Sequence, residues 1–85
     1  MPHYVYVLKS ETSQRHYYGE TQDLADRIKR HNENRSKSTK NRGPWKIVIS
    51  ATLISKSEAC KLEKKLKNMK SPQRAIAYLR KLKEK

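Results

Sequence analysis

The chain has no phenylalanine and a single cysteine, and its eight acidic residues stand against 21 lysines and arginines. Each shortage excludes something. Without Phe, an apolar core has to be assembled from Tyr, Leu, Ile, Val and Trp45. With Cys60 alone, neither an intramolecular disulfide nor a cysteine zinc site can form. That fits a reducing compartment, and the expected location is cytoplasmic, with Cys60 on a helix and without a role. Long hydrophobic runs are also missing. None approaches the roughly 20 apolar residues that a membrane span needs. Met1-Pro2-His3-Tyr4 is not a charged region followed by an apolar stretch, so no secretory signal is expected. The 85 residues, 34% of them hydrophobic, make one domain, residues 1–85. A chain this short buries only about 60–65% of the surface its unfolded form exposes, which points to a surface groove rather than a deep cavity.

What is abundant is positive charge. The formal net charge is +13. Lysines and arginines recur on both sides of the apolar run 46–53: Arg27, Lys29, Arg30, Arg35, Lys37, Lys40 and Arg42 before it, and a second group from Lys61 onward. Such a field draws polyanions and makes their binding salt-sensitive. Nucleic acid is the commonest partner of this kind. A soluble basic surface without a specific partner, or one that touches anionic lipid, is the blander reading. The C-terminal lysines lie on a helix-like pattern rather than in a bare tract, which favours nucleic acid.

Taken in order, residues 4–9 alternate Tyr4, Tyr6 and Leu8 against Val5 and Val7. Both faces are apolar, as in a central or well-covered strand. Residues 17–20 form a second short strand, on which Tyr17 and Gly19 point one way and Tyr18 the other. A polar linker joins the two, so they should pair as an antiparallel hairpin. Tyr6 by itself reads as a packed aromatic with a satisfied hydroxyl. Gly19 reads as a bulge, or as a place where a phosphate or a helix approaches the backbone closely. Thr21 or Asp23 can cap the following helix, which runs to Asn32. Leu24, Ile28 and His31 share its inner side, and Arg27 lies at the margin, one turn before His31. His31 could simply answer the helix dipole, and Arg27 could pair with Asp23 or Asp26.

Residues 33–44 read as a loop whose Lys40 and Arg42 are candidate phosphate contacts. Residues 45–54 form the third strand, entered by Trp45, a core anchor or, less simply, a base-stacking platform. Ser55-Lys56-Ser57-Glu58 has capping-box form and opens a helix over 55–68 with Ala59, Leu62 and Leu66 as its apolar stripe. Glu63 borders that stripe. It can pair with Arg27 or a lysine, or hold a hard divalent cation that keeps most of its waters. Ser71-Pro72 opens a last helix, packed through Ala75, Ile76, Leu79 and Leu82. The sum is an α/β chain of α+β type: a small three-stranded antiparallel sheet flanked by helices.

Tyr4-Val5-Tyr6, Tyr17-Tyr18-Gly19, Arg27-x-x-x-His31 and the late Glu63 stand in an order that resembles the GIY-YIG nuclease domain, in particular its small stand-alone members. Tyr4 stands where that pattern opens with glycine, and Tyr18 where isoleucine is usual. The resemblance implies an endonuclease with Tyr6, Tyr17, Arg27 and His31 as catalytic residues. It also implies Glu63 as ligand to Mg2+ or Mn2+, and Gly19, Lys40 and Arg42 along the nucleic acid. Glu20 places a negative charge beside that site. DNA is expected over RNA, in a role such as DNA repair, with substrate shape or a protein partner supplying selectivity, and no membrane is involved. Two other readings stay open: a basic DNA- or RNA-binding module without catalysis, and an interaction protein for an acidic partner.

Overall fold

The computed structural model describes residues 2–33 and 44–83. In chain order the elements are β1 (His3–Ser10), β2 (His16–Thr21), α1 (Leu24–Asn32), β3 (Trp45–Leu53), α2 (Lys56–Asn68) and α3 (Pro72–Lys83). The strands form one antiparallel sheet in the order β2-β1-β3. This is the α+β fold that the sequence pattern implies, with element ends moved by a residue or two. The central place of β1 explains why both of its faces are apolar. Val5, Tyr6, Val7 and Leu8 are each no more than 1% exposed.

Strand alternation divides these residues between two cores. Val5 and Val7 join Ile49, Ala51 and the inner stripes of α2 and α3, namely Ala59, Leu62, Leu66, Ala75 and Leu79. Tyr6 and Leu8 join Trp45 on the other face, where Tyr17, Ile47 and the α1 residues Leu24 and Ile28 pack against them. A bulge in β3 makes the division possible. Val7 pairs with Ile49 but Leu8 with Ile47, so Val48 is the extra residue. It resets the alternation, and Ile47 and Ile49 serve opposite cores.

Local chemistry fixes the ends. Asp23 is the N-cap of α1 and accepts from the Asp26 N–H, while Thr21 Oγ1 accepts from the Asp23 N–H. Ser55 and Ser71 accept from the Glu58 and Arg74 N–H groups at the starts of α2 and α3. Asn32, at the end of α1, accepts from the Trp45 N–H at 2.6 Å and donates to the Trp45 carbonyl at 3.2 Å. The end of α1 is therefore tied directly to the start of β3. Buried Ser10 organises the β1–β2 turn by accepting from the Thr12 and Ser13 N–H groups. No helix among the described residues is long and apolar enough to cross a membrane.

Candidate active site

The β1–β2 register sets Tyr6 opposite Gly19 and Leu8 opposite Tyr17, which leaves Tyr6 and Tyr17 diagonal on one face. Their ring centroids are 6.5 Å apart. The Tyr6 ring lies over Gly19. A Cβ added at position 19 would stand 2.3 Å from the Tyr6 hydroxyl oxygen. Gly19 is thus required for space, and the group that approaches it is the Tyr6 phenol. No described glycine has a positive φ.

Helix α1 lays His31 and Arg27 across the same face. His31 is fully buried, with Nε2 3.1 Å from the Tyr6 hydroxyl and its ring 4.9 Å from that of Tyr17. Tyr17 is also edge-on to Trp45 at 6.4 Å. At 5% exposure Trp45 is a core anchor, not an open stacking platform. Burial, and then the Arg27 charge, lower the His31 pKa, so the imidazole is neutral near pH 7. Burial foremost, with Tyr17, drives the Tyr6 phenol well above its ordinary value; Glu63 and Glu20 add to this and Arg27 opposes it. The acids near Arg27 are otherwise engaged. Asp23 caps the helix, and Asp26 pairs with Arg30 at 3.0 Å. Among the described residues no carboxylate forms an ion pair with the half-buried Arg27, so the pairing with Asp23 or Asp26 open to the sequence is not formed.

Glu63 comes from α2. Its charge reaches Tyr6, but its carboxylate is held by Lys67 at 2.8 Å, the i+4 neighbour. The hydrogen bond that Lys67 donates to Glu63 raises the Lys67 pKa against a desolvation cost, helped by the electrostatic influence of Glu63 and Tyr17. Among the described residues no three His, Cys, Asp or Glu side chains converge in a cage. A single carboxylate whose charge reaches the Tyr6 phenol fits a hard ion that keeps most of its waters, such as Mg2+, and does not fit zinc. Glu20 is engaged by His3 in a short contact across the β1–β2 pair. Lys40 and Arg42 lie outside the described residues.

Tyr6, Tyr17, Gly19 and His31 are therefore in one contact cluster, with Arg27 and Glu63 acting on it electrostatically. Sequence reasoning left open a lysine partner for Glu63, which is Lys67, and passed over His3 and Asn32. Lys67 was visible as an i,i+4 partner of Glu63. The His3–Glu20 pair follows only once the hairpin register is known. Nothing local marks Asn32 as a clamp on Trp45.

Comparison with known proteins gives a consistent picture. The sequence model of the GIY-YIG catalytic domain matches residues 2–76. UPF0213 protein BH0048 of Halalkalibacterium halodurans is 37% identical over 70 residues, which cover 81% of this chain and 73% of that protein. UPF0213 protein OB0043 of Oceanobacillus iheyensis is 35% identical over 68 residues, covering 79% and 78%. The solution NMR structure of the BH0048 protein matches 98% of this chain and 86% of its own, at 36% identity and a TM-score of 0.54.

Proposed function

The chain belongs to the GIY-YIG catalytic-domain family, a nuclease family, and on that premise we propose that it is a metal-dependent endonuclease. It hydrolyses phosphodiester bonds in nucleic acid, DNA before RNA, and selects by substrate shape rather than sequence. The observation that carries this reading is the contact of the Tyr6 hydroxyl with a buried, neutral His31, beside an Arg27 that no described carboxylate pairs with.

That contact answers the main chemical objection. A phenol whose pKa is raised by burial is a poor resting base. Tyr6 does not need to ionise beforehand. Its O–H donates to His31 Nε2. As the hydroxyl oxygen takes a proton from the attacking water, its own proton passes to the imidazole. Water oxygen bonds to phosphorus, and the bond from phosphorus to the leaving oxygen breaks. The Arg27 guanidinium binds two non-bridging positions in its planar fork and offsets the developing charge. Tyr17 hydrogen-bonds the phosphate or the water and holds the His31 ring edge-on. Glu63 is the protein ligand for Mg2+ or Mn2+, and a cation there supplies polarisation of the phosphoryl oxygen and stabilisation of the leaving group. Lys40 and Arg42 contact the backbone of the nucleic acid without reading its sequence. A protein partner is a further source of selectivity.

The test is gel cleavage of a labelled panel: single-stranded, duplex, flapped and branched DNA, plus RNA, with magnesium, manganese or chelator. Glu63→Ala runs beside the parent protein. Cleavage that needs metal and is absent from a folded Glu63→Ala variant is the expected result. Full activity in that variant removes Glu63 from the metal. Salt-sensitive gel shifts without cleavage in any metal leave a binding module in place of an enzyme.

A further inference from the structure

Three described i,i+4 ion pairs lie on the helices, and one of them is unlike the others. Lys29–Glu33 spans 4.0 Å and Arg30–Asp26 3.0 Å, and the carboxylate side chain in each is 46% exposed. Those are ordinary solvent-side pairs. Lys67–Glu63 is tighter, at 2.8 Å, and its carboxylate is only 20% exposed. It also sits at the edge of the aromatic cluster. The Glu63 charge raises the Tyr6 pKa, and Tyr17, after Glu63, raises that of Lys67. The lysine end stays open, at 54% exposure, so the ammonium can leave without disturbing the fold.

We propose that Lys67 is a resident counter-cation that competes with the divalent metal for Glu63 and is drawn off by the substrate's phosphates. This deepens the nuclease reading and rests on Glu63 being the metal's ligand. Two cations cannot share one carboxylate at close range without strong repulsion. While the ammonium is in place, metal binding is weak. An arriving polyanion offers the half-exposed ammonium a second anionic partner and frees the carboxylate. Metal and nucleic acid then favour each other's binding. By linkage the enhancement is equal in both directions. The protein is thereby guarded against holding metal at a site with no substrate.

The experiment is Mn2+ binding, followed by the electron paramagnetic resonance of free ion and by calorimetry, in the full chain without nucleic acid. It is repeated with an uncleavable phosphorothioate oligonucleotide. The proteins are the parent, Lys67→Met, Lys67→Arg, Lys64→Met and Glu63→Gln, each checked for folding by circular dichroism. Lys67→Met is expected to bind Mn2+ about five-fold or more tightly than the parent, within the usual range of coupling between two sites. Lys67→Arg should behave as the parent. The oligonucleotide should tighten binding in the parent but little in Lys67→Met. Equal or weaker affinity in Lys67→Met overturns the proposal, as does absence of binding in both, because removing the ammonium then opens nothing. An equal gain in Lys64→Met also overturns it, since loss of any positive charge on that helix would then suffice. Mn2+ binding undiminished in Glu63→Gln marks a different failure, that of the metal-ligand reading itself.

Discussion

Gly19 and Tyr6 illustrate how one side chain's position is purchased by another's absence. The phenol occupies the space that a β-carbon at position 19 would fill. Gly19→Ala should therefore displace the Tyr6 ring, break its contact with His31 and destabilise the fold by roughly 1–3 kcal/mol through overpacking. Thermal melts and the cleavage rate should fall together; an unchanged melt with full cleavage would show that the ring has another place to go. His31 supports a pH prediction. Its folded pKa lies below its ordinary value because burial, then Arg27, disfavours the imidazolium. The unfolded chain therefore binds the proton first as pH falls. Stability from neutral His31 is fully present above the unfolded value of about 6.5 and is lost as pH drops through it toward the folded value. Melting temperature should fall from pH 7.5 to 5.5 more in the parent than in His31→Gln. Parallel pH profiles for the two would mean that His31 does not titrate as a buried neutral group. His16 is lowered in the same direction, by burial and then by Lys9, and contributes equally to both proteins.

At the scale of elements, most of the fold could be read from periodicity and caps. Both tyrosine strands, the third strand opened by Trp45 and the helices capped by Asp23, Ser55 and Ser71 all follow local rules. The site was legible in part, because the hairpin and one helical turn are enough to bring Tyr6, Tyr17, Arg27 and His31 to one face. What local rules could not supply is non-local. The Val48 bulge depends on two cores competing for Ile47 and Ile49, and no turn residue announces it. The Asn32 clamp depends on a residue 13 positions away. Asn32→Ala removes two hydrogen bonds to Trp45 and should cost about 2 kcal/mol, read as a lowered urea midpoint; no change would mean that the Trp45 packing alone holds the strand entry. The end of α2 offers the opposite case. Lys70 takes a left-handed φ of 55°, a conformation that costs a side chain with a Cβ about 1 kcal/mol. Lys70→Gly should stabilise the protein by up to that amount, and a lowered melting temperature would contradict the cap.

For the whole molecule, the net charge of +13 bears on how the chain would meet the nucleic acid we propose as its substrate. Binding through about three to five phosphates predicts a roughly 40- to 500-fold loss of affinity between about 50 and 200 mM salt, from a slope near −0.9 per phosphate contact. A titration flat in salt would remove nucleic acid from the account. Charge, however, explains attraction and not chemistry; the chemistry we propose rests on a few atoms around Tyr6. Those atoms are tested most directly by single-turnover cleavage of the preferred substrate, in magnesium, by the parent and by Tyr6→Phe, with gel-shift affinity measured in parallel. The variant keeps the ring that fills the space over Gly19 and loses only the hydroxyl that contacts His31. We expect unchanged binding and a cleavage rate lower by about 10²- to 10⁴-fold, the usual worth of a positioned proton-transfer group. Cleavage at the parent's rate would contradict the assignment of Tyr6 and His31 as the proton path.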